Sequence, residues 1–261
     1  MTNAGIRLVG ELLEVAEELS KEAGRLTLLH FGLALDFENK SDGSPVTEVD
    51  RAAERLLRRG ISSRYPAHGI LGEEFGESDP GAEVRWILDP IDGTLSFMRG
   101  VPLYGVLIGI EMEGEAVVGI AHFPALGETV AAGRGLGCTL NGKPCRVSEV
   151  AELAEAVVCT TDEKANAAGR AAVGWTELRT RCGLARTWGD AYGHALVATG
   201  RADVQVDPRL HLWDAAPLLP ILTEAGGRFT TLEGEATIRG DSGVSSNGLL
   251  HDEVLDVLGS V

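Results

Sequence analysis

Trp86-Ile87-Leu88-Asp89-Pro90-Ile91-Asp92-Gly93-Thr94 is an apolar run that ends in two carboxylates three positions apart. Such a run, opening at Val84 and stopped by turn-forming residues, reads as a buried strand that reaches the margin of a sheet, where function tends to sit. Pro90 fixes its own φ and holds Asp89 extended. Gly93 permits a tight turn into a following helix, so both acids and the Ile91 carbonyl can face one cavity. Carboxylates plus a backbone carbonyl, with positions left for water, form the oxygen-only environment that magnesium prefers. Helix capping would account for Asp92 alone and would leave Asp89 as an unpaired charge at the end of an apolar strand, which is costly.

Working outward, Gly72-Glu73-Glu74 follows another short apolar run at Ile70 and Leu71, and Trp213-Asp214 stands immediately before an apolar helix. Taken singly, these acids read as surface charge and an ordinary N-cap. Four carboxylates meeting in one pocket would repel strongly unless cations neutralised them, so a shared site implies two or more magnesium ions. Upstream, Thr47 precedes Asp50 by three residues, the start box of a helix predicted to run through Arg59.

The rest of the chain reads as a layered α/β protein. Leu8, Leu12, Val15, Ala16 and Leu19 place an apolar stripe on a long opening helix. Runs at 101–111, 115–122 and 129–132 predict an antiparallel meander, with a hairpin turn at Asn141-Gly142. Beyond them come a strand at 157–160, helices near 165–172 and 189–199, and a strand at 202–206. A helix at 214–225 is stopped by Gly226-Gly227, and a strand near Val244 and a last helix near 251–258 close the chain. The 261 residues are expected to form one unit with two lobes, about 1–150 and 151–261.

With 39 acidic against 23 basic residues the net charge is −16, which disfavours nucleic acid and anionic membranes as partners. A negative protein that receives an anionic substrate needs a local cationic device, and bound divalent metal can supply it. Cys138, Cys145, Cys159 and Cys182 show no zinc-ligand spacing. Glu11, Glu14, Glu17 and Glu18 interrupt any secretory apolar segment, and 101–110 is too short to span a bilayer. A soluble cytoplasmic protein is expected.

Glu73-Glu74, Asp89-Pro90-Ile91-Asp92-Gly93-Thr94 and Trp213-Asp214 resemble the defining motifs of the inositol monophosphatase family. Lys40-Ser41-Asp42 with Thr47-Glu48-Val49-Asp50 resembles its N-terminal motif, and Glu224-Ala225-Gly226-Gly227 and Ser246-Asn247-Gly248 extend the resemblance over nearly the whole chain. The resemblance implies an αβαβα five-layered sandwich, usually a homodimer, and a magnesium-dependent, lithium-sensitive phosphomonoesterase acting on a small phosphorylated metabolite. It implies one metal on Glu73, Asp89 and the Ile91 carbonyl, a second on Asp89, Asp92 and Asp214, and a third, looser one near Glu73. Thr94 and Asp50 would orient and deprotonate the attacking water, and the Gly93 and Thr94 amides would receive phosphate. Lys40, Glu74 and Arg186 would play supporting parts. No phosphoenzyme is expected: in the superficially similar Asp-x-Asp-x-Thr motif of haloacid dehalogenase-type phosphatases the first Asp is a nucleophile, but here the acids stand three apart. A scaffold protein that had lost catalysis is disfavoured by the presence of every expected ligand.

Arg186-Thr187-Trp188-Gly189-Asp190-Ala191-Tyr192-Gly193 resembles a segment of the histidinol-phosphate phosphatases within that family. Phe75-Gly76, Ser96-Phe97, Val101-Pro102 and Thr160-Thr161 point the same way, while Leu95 and Asp207 depart from the usual residues. Histidinol phosphate carries an ammonium and a titratable imidazole, which Asp190 and Asp207 could pair. Gly189, Asp92 and Asp214 complete the expected substrate contacts, and inositol phosphate or another sugar phosphate is the alternative substrate. Asp190 as a helix cap, Asp207 in an Asp-Pro turn, and structural roles for His68, His122 and His211 are the competing structural explanations.

Overall fold

The structure is a computed structural model that describes residues 2–40, 43, 45–169 and 171–259. Ser41 and Asp42 of the N-terminal motif lie outside the described residues. The opening apolar stripe forms α1 (Asn3–Leu28), which buries Val9, Leu12, Ala16 and Leu19. Full burial of each such leucine contributes about 1.5–3 kcal/mol. After β1 (Phe37–Asn39) and β2 (Pro45–Thr47), Thr47 caps α2 (Glu48–Arg64) and the Asp50 side chain accepts the Thr47 amide in return. The helix continues past the predicted end at Arg59 because Leu57 and Ile61 keep its apolar face buried.

β3 (Gly69–Gly72), β4 (Gly76–Ser78), β5 (Val84–Asp92), the short α3 (Thr94–Met98), β6 (Gly105–Met112), β7 (Glu115–Phe123), β8 (Glu128–Gly133), β9 (Gly137–Leu140) and β10 (Lys143–Pro144) come next. The eight strands β3–β10 form a sheet in the order β10-β9-β8-β7-β6-β5-β3-β4. β5 runs beyond the predicted strand end at Leu88, through Pro90 to Asp92. Its pairing with β3 stops at Leu88, and its register with β6 shifts between Asp89 and Asp92. The missing Pro90 N–H therefore falls where the ladder is already irregular. The predicted hairpin turn stands between β9 and β10, with Asn141 and Gly142 both at positive φ.

The second half contains β11 (Val157–Cys159), α4 (Glu163–Ala168), α5 (Ala172–Arg181), β12 (Leu184–Arg186), α6 (Asp190–Ala198), β13 (Val204–Asp207), α7 (Leu212–Glu224), β14 (Arg228–Thr230), β15 (Gly243–Ser246) and α8 (His251–Gly259). The single helical stretch expected near 165–172 is two helices, because α4 ends at Gly169, whose backbone is extended. The second sheet is ordered β12-β11-β13-β15-β14; its two outer strands, three residues each, carry too short a pattern to have been expected.

Successive residues of a strand face opposite ways. Trp86 and Leu88 pack with α1 and α2, whereas Ile87 packs with α6 and α7. The α6–α7 layer also meets the second sheet, through Cys159 and Phe229, and α5 and α8 cover that sheet's far face. The order is αβαβα, as the resemblance implied. No helix among the described residues is long and apolar enough to cross a membrane. The four cysteines are free thiols.

One packing detail places the chemistry. Gly109 of β6 pairs with Gly119 of β7, and α7 lies directly on this pair. A Cβ at Gly119 would stand 2.1 Å from the Pro217 carbonyl oxygen, and one at Gly109 would stand 2.6 Å from the Ala216 Cβ. The side-chain-free window lets α7 seat against the sheet, and Asp214 stands in the first turn of that helix.

Candidate active site

Asp89, Asp92 and Asp214 converge: one carboxylate oxygen from each lies within 4.8 Å of the others. Asp89 and Asp92 arrive on the end of β5 and Asp214 on α7. Each is aimed by a backbone amide. Asp89 Oδ1 accepts from the Ile91 amide at 3.0 Å, Asp92 Oδ2 from the Ala191 amide at 2.8 Å, and Asp214 Oδ2 from the His211 amide at 2.8 Å. Asp214 is thus not the N-cap: His211 holds that place and Asp214 reciprocates from the third helical position. Using one oxygen for aim leaves the other free to face the cluster.

Burial pushes the Asp89 and Asp92 carboxyls well above their usual range. The charge of Glu73 adds most to this at Asp89, and that of Asp190 at Asp92. Burial also raises Asp214 to about 7, against the lowering effect of the His211 amide and with Glu73 adding repulsion. Three acids that cannot all ionise at neutral pH without help, and that offer only oxygen donors, fit a hard divalent cation. Histidine and cysteine, the ligands zinc favours, take no part in the cluster.

Glu73 follows β3 and lies beside Asp89. Lys40 donates to Glu73 and Glu74, each at 2.6 Å, and these two contacts raise the Lys40 pKa although burial opposes them. Asp50 is 2 % exposed and takes the Thr47 amide and hydroxyl on one oxygen and the Thr94 hydroxyl, at 3.2 Å, on the other. Burial raises the Asp50 pKa and these bonds lower it. Thr94 Oγ1 also lies 3.1 Å from the Ile91 carbonyl. Gly93, at φ 74°, makes the turn from β5 into α3 that the sequence predicted.

A cavity of about 190 Å³ opens beside the acids, lined among others by Asp92, Thr161, Asp190, His194, Asp207, Arg209 and Asp214. Asp190 is not the cap of α6. Gly189 is the N-cap, and Asp190 opens the helix at φ 52°, a left-handed conformation that costs energy outside glycine. Its carboxylate lies over Gly93, where a Cβ would meet Oδ2 at 2.8 Å, and accepts from Ser96 Oγ at 3.3 Å. Burial pushes Asp190 up to about 6, with the charge of Asp207 second.

Asp207 ends β13 with its carboxylate already engaged by the Thr161 amide at 2.9 Å, Gln205 Nε2 at 2.8 Å and His194 Nε2 at 3.0 Å. His194 is fully buried and meets Ser245 Oγ through its other nitrogen. Arg186 is not brought to the cavity: its guanidinium stacks over Trp188 at 5.9 Å and bonds the Ala185 carbonyl. His68 accepts from Trp86 Nε1, His122 pairs with Thr129, and His211 stacks on Trp213.

Sequence reasoning missed His194 and Glu54, and it marked Thr161 by resemblance alone. The first two had a readable signal, since His194 stands four residues after Asp190 and Glu54 four after Asp50, each pair on one helix face. The contacts of Thr161 had no local signal, because its bonds to Asp207 and Asp190 form only when β11 pairs with β13 and α6 packs beside them.

A sequence profile of the inositol monophosphatase family matches residues 9–259. A histidinol-phosphatase of Chlorobaculum parvum is 45% identical over 250 residues, covering 95% of this chain and 96% of that one. A fructose-1,6-bisphosphatase/inositol-1-monophosphatase of Thermotoga maritima is 37% identical over 252 residues, with 95% and 96% covered. Among solved structures, an IMPase from Thermotoga maritima superposes with a TM-score of 0.89 at 34% identity, covering 96% of this chain and 97% of the other. With its motifs, its five layers and a match over almost its full length, the chain belongs to the inositol monophosphatase family.

Proposed function

We propose that the chain is a magnesium-dependent phosphoric monoester hydrolase whose preferred substrate is histidinol phosphate. The observation that carries the chemistry is the meeting of Asp89, Asp92 and Asp214 next to Glu73 and the Thr94–Asp50 pair. Glu73, Asp89, Asp92, Asp214 and the Ile91 carbonyl are the residues that would hold two magnesium ions, with a third near Glu73. When bound, these ions supply positive charge to the phosphate oxygens and acidify water.

The protein's own groups do the remainder. Thr94, donating its hydroxyl proton to Asp50, keeps lone pairs with which to orient a water toward phosphorus, and Asp50 is the acceptor at the end of that relay. The Gly93 and Thr94 amides, at the turn out of β5, would hold phosphate oxygens. Attack by water in line with the ester oxygen breaks the P–O bond and releases the alcohol and phosphate directly. Lys40 would keep Glu73 and Glu74 in place.

The cavity supports a cationic alcohol as leaving group. Asp190 has spare acceptor capacity and faces the space next to Asp92, whereas Asp207 is taken up by three internal donors and shapes the wall. Asp190 is therefore the residue we assign to the ammonium or imidazolium end, with Gly189 holding the start of α6 against Thr161. The identity to the Chlorobaculum parvum protein supports this reading, and inositol 1-phosphate is the alternative that the Thermotoga maritima relative suggests.

We further read residues 1–261 as a single unit of two lobes, in keeping with the shared α6–α7 layer, and as cytoplasmic, in keeping with the free thiols; a homodimer is what the resemblance implied. Turnover of histidinol phosphate and inositol 1-phosphate measured side by side in Mg²⁺ tests the assignment. A clear preference for histidinol phosphate is expected, and a preference for inositol 1-phosphate overturns it. Loss of Mg²⁺-dependent hydrolysis is expected in a folded Asp92→Asn protein; retained activity removes the metal reading.

A further inference from the structure

We propose that Glu54 is a positioning residue for Glu73, and that through the backbone amides of the 73–75 turn it sets how tightly the acid cluster holds its cation. The inference rests on the reading of Glu73 as a cation ligand. Glu54 is on α2, one turn after Asp50, with its side chain fully buried. Its Oε2 accepts the Glu74 amide at 2.7 Å, and its Oε1 accepts the Phe75 amide at 3.2 Å and Arg58 Nε at 2.7 Å. The other arm of Arg58 donates to the Gly76 carbonyl. The carboxylate and its guanidinium together grip three consecutive residues of the turn.

The amide of Glu73 itself donates to the Leu88 carbonyl at 3.2 Å, one residue before Asp89. Glu73 is therefore suspended between two fixed points, β5 on one side and Glu54 on the other. The chain has made room for this contact: a Cβ on Gly72 would stand 2.0 Å from Glu54 Oε1. A buried carboxylate needed only for stability could be satisfied by Arg58 alone, yet two of its three bonds go to the turn that carries the ligand. Because Asp50 and Glu54 share one rigid helix face, α2 also fixes the spacing between the Thr94–Asp50 pair and Glu73.

Two substitutions separate positioning from stability. Glu54→Gln keeps the shape but replaces one acceptor oxygen with a donor, and Gly72→Ala keeps Glu54 but pushes its carboxylate aside. Mg²⁺ is titrated calorimetrically into each metal-stripped protein, and the rate is followed against Mg²⁺ concentration. Residues that orient metal ligands typically change affinity about 10- to 100-fold when altered. Both variants are expected to bind Mg²⁺ at least about tenfold more weakly, with most of kcat recovered at saturating Mg²⁺ and faster hydrogen exchange at amides 74 and 75. Glu111→Gln, which breaks a buried acid's pairs with Arg85 and Arg239 elsewhere on the sheet, is the control and should lower Tm without changing Mg²⁺ affinity. If Glu54→Gln also loses only Tm and binds Mg²⁺ like the parent, Glu54 is merely structural and the proposal falls. A flat titration of the parent protein would instead sink the cation reading of Glu73 and the proposal with it.

Discussion

Replacing Asp214 by Asn should change how the metal-free protein responds to pH more than it changes the fold. Asp214 titrates at 3.8 when unperturbed and at about 7 in the folded chain. The folded state therefore binds more protons than the unfolded state between those limits, and stability falls as pH rises through that window. Each pKa unit corresponds to about 1.4 kcal/mol, so a rise of about three units amounts to about 4 kcal/mol, present below pH 4 and gone above pH 7. In a protein of this size about 1 kcal/mol moves Tm by roughly 2–4 °C. In EDTA, the Tm of the parent should fall relative to Asp214→Asn by about 10 °C between pH 4.5 and 8. Mg²⁺ should stabilise the parent at pH 8 more than the variant, which keeps the Glu73 and Asp89 ligands but loses the Asp214 carboxylate, because the cation binds the ionised acids. Calorimetric melts of both proteins across this range measure the difference directly. Parallel pH profiles, or a parent that gains on the variant as pH rises, would refute the placement of Asp214 in a desolvated acid cluster.

Gly119→Ala puts a methyl group against the Pro217 carbonyl, and overpacking of this kind costs about 1–3 kcal/mol; since α7 must shift, kcat in Mg²⁺ should fall more than Gly81→Ala, in open space at ordinary φ, lowers it. Asp190→Asn should lower kcat/KM for histidinol phosphate by about 10- to 100-fold, the value of one hydrogen bond to a charged group, and change that for inositol 1-phosphate by only a few fold. Equal losses on both substrates would remove Asp190 from recognition of the leaving group. Lithium titration should inhibit turnover in competition with Mg²⁺, and an unaffected rate would count against the two-ion reading.

How much of this was legible beforehand depended on range. The β5 string announced itself because Pro90 and Gly93 constrain the backbone locally, and the Thr47–Asp50 start box is likewise complete within four residues. The convergence of Asp214 was suggested by resemblance, but its physical cause, the Gly109–Gly119 window under α7, lies about a hundred residues away in sequence. Asp190 and Asp207 looked equivalent as acids near a substrate. They differ because Gln205, two residues earlier on β13, and His194 take up Asp207, and His194 meets it only after α6 packs on β13. Arg186 carried a motif position but stacks over Trp188, two residues on, instead of entering the cavity.

The most direct test is diffraction from crystals of the protein soaked in Mn²⁺, with anomalous peaks used to locate the cations. Peaks are expected between Asp89, Asp92 and Asp214 and beside Glu73, and those between the three aspartates should vanish in Asp92→Asn. Cations absent from this cluster at concentrations that support turnover, or found only elsewhere, would contradict the assignment of these acids as the metal centre.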